Sequence, residues 1–540
     1  MSTVASELPH DGISTTDPSV LTRAQAWRVV LASSLGTMFE WYDFFIYGSL
    51  AVIFGARFFP EGSETAAFLA SLATFGAGFA VRPLGGVLFG AVGDMIGRKI
   101  SFLATIVLMG ISTAAIGFLP TFETWGWAAP VALVGFRLLQ GLALGGEYGG
   151  ASIYVAEHAP HQRRGTWTSW IQTTASLGLL ASLVVILVCR LSLTAEQFSQ
   201  WGWRIPFVLS LALLALSVYV RSKVSESPVF RTMRQEGRLS KRPISESFRD
   251  PVNVRRILIT LFGAQAGLAA VWYTCQFYAL FFLIQTVKMP FTSAYMAVAI
   301  AIAIGTPLFV FFGWLSDKIG RKWIILVSFA LTAITLIPIF NSLVQYGNPG
   351  LAAFQSNANI RVEATDCYFN IFAAPKTPCD KARDFLTKAG VSYVMLPASD
   401  SSDVIVRVGE YELHGFDAAQ YKEALAKAGY VASANPSLSD LSAVVALLVL
   451  MIAYVAMAYG PMAAYLVELF PARIRYTSMS VTYHVGVGWL AGFAPFISAA
   501  LVVHTGNRLA GLWYPVVLTT LSLVIGGLLI QETKNNSIDA

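Results

Sequence analysis

Apolar runs of about twenty residues recur along the chain, separated by short polar turns, and a run of that length is what a bilayer-crossing helix needs. The pattern predicts twelve such helices. Six lie near 27–55, 66–91, 100–120, 127–153, 166–190 and 203–220, and six near 257–287, 291–314, 323–341, 440–467, 478–503 and 511–530. The pattern fails once at length, over 342–439, where Asn348-Pro349-Gly350, Pro375, Pro378, Pro397 and Pro436 interrupt the chain. A structureless loop of that size is uncommon in a compact protein, so the stretch predicts a small folded insert. DKARDFLTKAG (380–390) and DAAQYKEALAKAG (417–429) read as helices, each with Asp near its start and Gly at its stop. VSYVML and DVIVRV between them read as strands.

Composition agrees with a chain that lives in lipid. It is 55% hydrophobic and 13% charged, with a mean hydropathy of +0.61, whereas soluble domains carry about 25% charged residues. The formal charge of +6 would suit nucleic acid in a soluble protein, but here its distribution matters more. Ten of the 37 Lys and Arg residues fall in 221–256, which places that loop in the cytoplasm by the positive-inside rule. An even number of helices on each side then puts both termini there too, and 342–439 outside. Residues 1–26 are polar and lack an apolar signal-peptide core.

The expected organisation follows, in a multi-pass protein of the cell (inner) membrane. A cytoplasmic tail (1–26) leads into a six-helix half (27–221) and a basic linker (222–256). Helices 7–9 (257–341), the insert (342–439), helices 10–12 (440–531) and a second tail (532–540) complete it. The fold class is all-α membrane protein, in two pseudo-symmetric six-helix halves, with a small α/β extracytoplasmic insert. Cys189 and Cys275 lie in apolar spans. Cys367 and Cys379 lie in the insert, on the oxidising side, where a disulfide is expected and two free thiols are the rival. Two Cys and a distant His414 do not make a zinc pattern, and no metal is expected.

The halves repeat a motif. GDMIGRK (93–99) and SDKIGRK (316–322) stand 223 residues apart, after the second and eighth spans. YVAEHAPHQRR (154–164) and YLVELFPARIR (465–475) match at an offset of 311, and Glu226 and Glu532 at 306. The change from 223 to 311 leaves 88 extra residues in the second half, where the insert lies. Repeated halves around a central site are a common transporter plan.

These residues resemble the major facilitator superfamily. Its loop signature stands here as Gly90, Asp94, Gly97, Arg98, Lys99 and again as Gly313, Asp317, Gly320, Arg321, Lys322. EWYDF (40–44), VRPLGG (81–86), RLLQGLALGGE (137–147), ESPVF (226–230) and RIRYTS (473–478) are similar to its metabolite:proton symporter branch, which carries organic acids or proline and betaine. The resemblance covers nearly all of the chain except 342–439; that insert is not a general family feature, and His484 stands where relatives often carry an amide.

The duplicated polar residues predict a latch that opens and closes the cytoplasmic end. Asp94 and Asp317 can accept hydrogen bonds at a neighbouring helix start. Arg98, Glu147, Glu157, Arg164, Arg321, Glu468 and Arg475 can build an ion-pair lattice beside them. Turn residues that merely obey the positive-inside rule are the plainer reading.

Ionisable residues inside spans are functional candidates, because each costs about 2.5–3.5 kcal/mol at the bilayer centre. Glu40 and Asp43 share one face of the first helix. Two carboxylates in a low dielectric resist joint ionisation, which suits a proton site; a static pair with an Arg is the alternative. Arg82 and Arg137 are permanent cations that need an anion, either one of these carboxylates or one on a substrate. Asp43, Glu40 and Arg137 are the expected proton-coupling set, and Arg82, Gln265, Tyr273, Gln276 and His484 the expected substrate set.

The function expected is proton-coupled symport of a small organic anion by alternating access, with H⁺ as coupling ion, no cofactor, no nucleic-acid partner and a monomeric state. Symport of a zwitterionic osmolyte is one alternative, and a non-transporting metabolite receptor another. No nucleophile–base constellation supports an enzyme.

Overall fold

The computed structural model describes residues 23–59, 64–222, 234–237, 242–365, 367, 374–397, 404–490 and 492–538. Among them, eleven helices are long and apolar enough to cross a membrane. They are span 2 (Glu64–Met95), span 3 (Lys99–Phe118), span 4 (Ala128–His158), span 5 (Arg164–Ser192), span 6 (Gly202–Arg221), span 7 (Pro251–Thr286), span 8 (Phe291–Ile319), span 9 (Lys322–Gly347), span 10 (Leu438–Leu469), span 11 (Arg475–Thr505) and span 12 (Ala510–Leu529). The helix Arg23–Ser49, which carries Glu40 and Asp43, packs along spans 5 and 6 and completes the first half as span 1. The two halves meet along two seams, span 5 against span 8 and span 2 against span 11.

Several spans are broken where the sequence predicts continuity. Span 1 bends at Leu50 and resumes as Ala51–Phe58. The Tyr295 hydroxyl of span 8 donates to the Ser49 carbonyl, and the Ile53 amide bonds Leu50 instead. Span 2 divides into Glu64–Ala80 and Arg82–Met95 around Val81. Pro83 has no N–H to continue the ladder. The Trp489 indole of span 11 donates to the freed Ala80 carbonyl at 2.9 Å. Wide π turns interrupt span 7 at 261–265, 273–278 and 282–286, and span 11 at 486–490; such turns often occur at functional sites.

Span 9 runs to Gly347, beyond the expected 341, and Asn348 then caps a new helix, Pro349–Asn357. The described residues of the insert form four strands, β1 (Ile360–Ala364), β2 (Val394–Pro397), β3 (Ile405–Val408) and β4 (Tyr411–His414), in the order β2-β1-β3-β4. β1 pairs parallel with β2; β3 is antiparallel to both β1 and β4. Val362, Val406, Leu386, Tyr421 and Leu425 are buried between this sheet and the helices Pro378–Lys388 and Ala418–Lys427. Sequence reading locates those two helices, β2 and β3, but not β1 or β4. Cys367 and Cys379 are joined as a disulfide, with Cα atoms 5.3 Å apart.

Spans 2 and 4 cross at near backbone contact. A Cβ added at Gly141 would collide with the Gly78 carbonyl oxygen, and one at Gly145 with the Arg82 carbonyl oxygen. Since overpacking costs about 1–3 kcal/mol or more, Gly141→Val should lower the thermal midpoint of the purified protein. Gly135→Ala on the same helix, where a Cβ meets nothing within 4 Å, should leave it unchanged.

Candidate functional site

Arg82 opens the lower half of span 2, directly after the helix break, and is fully buried. Its guanidinium lies over three rings, Phe79 at 5.0 Å, Trp41 at 5.4 Å and Tyr483 at 5.8 Å. Among the described residues none of its three nitrogens makes a well-formed hydrogen bond, the Tyr273 and Tyr483 hydroxyls lie beside it, and no carboxylate lies within ion-pair distance. Buried polar atoms lack partners on the second-half side as well. Both ring nitrogens of His484, the amide atoms of Gln265 and Gln276 and the Trp272 indole N–H are all unpaired. His484 reaches span 2 at Gly86, Gln265 packs beside Gly486, and Tyr273 meets Phe79 edge-on at 5.1 Å. Arg82, Tyr273, His484 and Gln265 therefore come together where spans 2, 7 and 11 meet.

The residues expected to couple protons have other partners. Asp43 accepts a hydrogen bond from Ser210 at 2.5 Å, and Glu40 faces Arg221 at 3.8 Å. Both partners belong to span 6, and Arg221, which the sequence places in the basic loop, turns back to donate to Thr37 as well. Arg137 does not touch either carboxylate. It lies over Phe44, Tyr47 and Phe75 at 4.2, 4.7 and 5.3 Å and donates to the Phe44 carbonyl and to Gln140. Neither Arg82 nor Arg137 pairs with these carboxylates; both cations face aromatic rings.

Sequence reasoning missed that aromatic setting. A buried layer also joins the halves below Arg82: Tyr148 stacks on Tyr483 at 3.6 Å, Tyr483 bonds Tyr459 at 2.7 Å, and Gln172 donates to Tyr148 and to the Tyr459 carbonyl. Sequence singles out Tyr459 as a candidate for the cavity wall, but aromatic residues are so frequent in a lipid-embedded chain that Tyr148 and Tyr483 do not stand out.

At the end of the bundle that bears the two Gly-Arg-Lys turns, the duplicated residues meet across the halves. Asp94 accepts from the Thr477 amide at 3.1 Å and its hydroxyl at 2.7 Å, at the start of span 11. Asp317 accepts from the Gly165 and Thr166 amides at 2.8 and 2.7 Å, at the start of span 5. Arg321 bridges Asp317 at 2.8 Å and Glu468 at 3.1 Å. Burial disfavours its charge, but these carboxylates more than offset that and hold its pKa above the ordinary value. Arg475 pairs with Glu157 at 3.4 Å, Arg164 donates to the Asn536 carbonyl, and Glu532 accepts from the Arg321 and Lys322 amides. The side chains of Arg98 and Glu147, and Glu226 as a whole, lie outside the described residues.

A family model described as sugar (and other) transporter matches residues 29–254. Over 525 residues the chain is 30% identical to the inner membrane metabolite transport protein YhjE of Escherichia coli (strain K12), covering 95% of each. The chain belongs to the major facilitator superfamily. It is a multi-pass membrane transporter, not an enzyme. Among its relatives are the shikimate transporter of Escherichia coli (strain K12), 35% identical over 61% of this chain and 75% of that one. A putative proline/betaine transporter of Staphylococcus aureus (strain COL) is 29% identical over 95% and 90%. The fold matches that of the superfamily's proton:xylose symporter XylE, with a TM-score of 0.62 and 17% identity over 96% of this chain and 98% of that one.

Hydrogen bonds to a charged group contribute about 1.5–3 kcal/mol each. Asp317→Ala removes those that tie span 8 to the start of span 5, so the population open at this end should rise roughly tenfold or more. Spin labels on the exposed Gln162 and Lys318 should then report a longer distance in the variant than in the parent.

Proposed function

We propose that this transporter takes up a small organic anion together with protons. The observation that carries the reading is Arg82, a permanent cation fully buried where the halves meet, with no carboxylate within ion-pair distance among the described residues. A buried charge left uncompensated costs several kcal/mol, and a substrate carboxylate would compensate it. Gln265, His484 and Tyr273 are placed to hold the rest of the ligand. Similarity to the shikimate transporter and, at 35% over 62% of this chain, to the alpha-ketoglutarate permease of Escherichia coli (strain K12) supports an organic acid. A zwitterion such as betaine is the second reading, because the rings of Trp41, Trp272 and Tyr483 could also face a quaternary ammonium.

The Lys- and Arg-rich end is cytoplasmic in this reading, the termini lie on that side, and the insert is outside. Asp94, Asp317, Arg321, Glu468, Glu157 and Arg475 form the cytoplasmic gate. Asp43 carries the proton and Glu40, which faces Arg221, is its partner one turn away on the same helix. Entry of one proton releases about 2.3 kcal/mol per 100 mV, enough for a gradient of roughly fifty-fold.

Uptake of labelled organic acids and betaines into proteoliposomes under a pH gradient tests this. Arg82→Lys loses the bidentate grip on a carboxylate and should lower anion uptake roughly ten- to hundred-fold; unchanged uptake refutes the anchor. Joint replacement by Asp43→Asn and Glu40→Gln should make uptake indifferent to the pH gradient and to protonophores while solute exchange persists. Gradient-driven accumulation in that double variant would remove the coupling assignment.

A further inference from the structure

A cavity lies on the insert side of the Arg82 site. It encloses about 520 Å³ where the insert roofs the seam between the halves, in the range of small-molecule sites. Glu64 and Phe68 line it from span 2, Phe281 and Gln285 from span 7, Lys288 from the turn after span 7, and Lys388 from the insert. Among the described residues, Lys288 is the only non-glycine with a positive φ, 63°. That conformation costs about 1–2 kcal/mol for an L-residue and persists where the surroundings impose it. Here the Lys288 carbonyl accepts from the Ala434 amide at 3.0 Å, and the neighbouring Val287 carbonyl accepts from Asn348 at 3.0 Å. Both donors belong to the segment between spans 9 and 10, so the insert itself fixes the turn that presents the lysine.

The Lys288 ammonium makes no hydrogen bond or ion pair among the described residues. Burial lowers its pKa to about 8, with the Glu64 carboxylate acting in the other direction. Lys388 lies on the facing wall, 3.0 Å from Asp384 and 3.9 Å from Glu64. The Glu64 side chain is 90% exposed, and such a pair is worth only about 0–1 kcal/mol, so an incoming anion can replace it.

The floor of the cavity leads to Arg82. Spans 2 and 7 run antiparallel and interlock three ring pairs in descending order, Phe68–Phe281 at 5.6 Å, Phe75–Phe277 at 4.8 Å and Phe79–Tyr273 at 5.1 Å. Arg82 follows Phe79 by one turn. Two cations at the mouth and one at the base, separated by a closed apolar ladder, mark a path for a negatively charged solute.

We infer that this vestibule is an entry subsite for small organic anions, in which Lys288 and Lys388 hold a carboxylate before the ring ladder parts. It rests on the anion-uptake reading for its purpose, but the site itself can be tested without transport. The full-length protein in detergent is treated with N-acetoxysuccinimide, and acetylation of each lysine is followed by peptide mass spectrometry at constant ionic strength. Addition of 2-oxoglutarate should slow acetylation of Lys288 about fivefold relative to the exposed Lys422, as expected for roughly 1 kcal/mol of occupancy-linked protection, whereas betaine should not. In Lys388→Met, a change at the surface of the insert, the half-protecting concentration should rise by about the same factor. The inference is overturned if neither 2-oxoglutarate, succinate nor shikimate protects Lys288, or if Lys388→Met leaves the half-protecting concentration unchanged. Protection without anion uptake keeps the vestibule and removes the transport reading; anion uptake without protection does the reverse.

Discussion

A guanidinium cannot escape desolvation by losing its proton, and that constraint organises the interior of this protein. Arg82 is held buried between spans 2, 7 and 11 by covalent and steric means rather than by a counter-ion. Pro83 breaks the helix beside it, Trp489 caps the carbonyl that the break exposes, and glycines in span 4 bring a second backbone against it. The rings of Phe79, Trp41 and Tyr483 return part of the lost hydration, at about 0.5–2 kcal/mol for each good cation–π contact. The remainder is an electrostatic debt that an anionic ligand is suited to cancel.

The Arg82 site is shut on its two sides by different physics. Toward the Gly-Arg-Lys turns the closure is polar, made of carboxylates on helix starts and a buried Arg321–Glu468 pair. Toward the insert it is apolar, made of rings stacked between spans 2 and 7. Polar bonds exchange readily for bonds to water when they part, while separated rings expose surface that water does not reward. The two closures therefore respond differently to a ligand that brings its own polar groups and displaces water.

The architecture was legible in the sequence to the extent that lipid imposes it. Twenty apolar residues in a row have few other uses, and helices in the insert announce themselves through an Asp at or just after the cap and a terminal Gly. β1 and β4 escaped notice because five and four residues of mixed polarity carry too little period-two signal, and β4 is largely exposed. Within the site, the cost of burying charge drew attention to Glu40, Asp43, Arg82 and Arg137. Their partners were hidden, because Ser210 is an ordinary span residue, Arg221 reads as loop charge, and cation–π contacts depend on ring placement in three dimensions. Asp94 and Asp317 were conspicuous because the chain repeats their setting.

The insert is fastened almost entirely to one half. Arg383 donates to the Val503 and His504 carbonyls, the Tyr393 amide to Gly506, and the Arg508 amide to Ser392, all at the end of span 11 or just beyond it. Among the described residues its ion pair to the first half is the long contact between Lys388 and Glu64. An appendage mounted this way acts as a lever arm rather than a hinge. A tilt of the second half therefore carries the insert with it and slides its rim past the first half, so a rearrangement inside the bilayer is reported in the space beyond it.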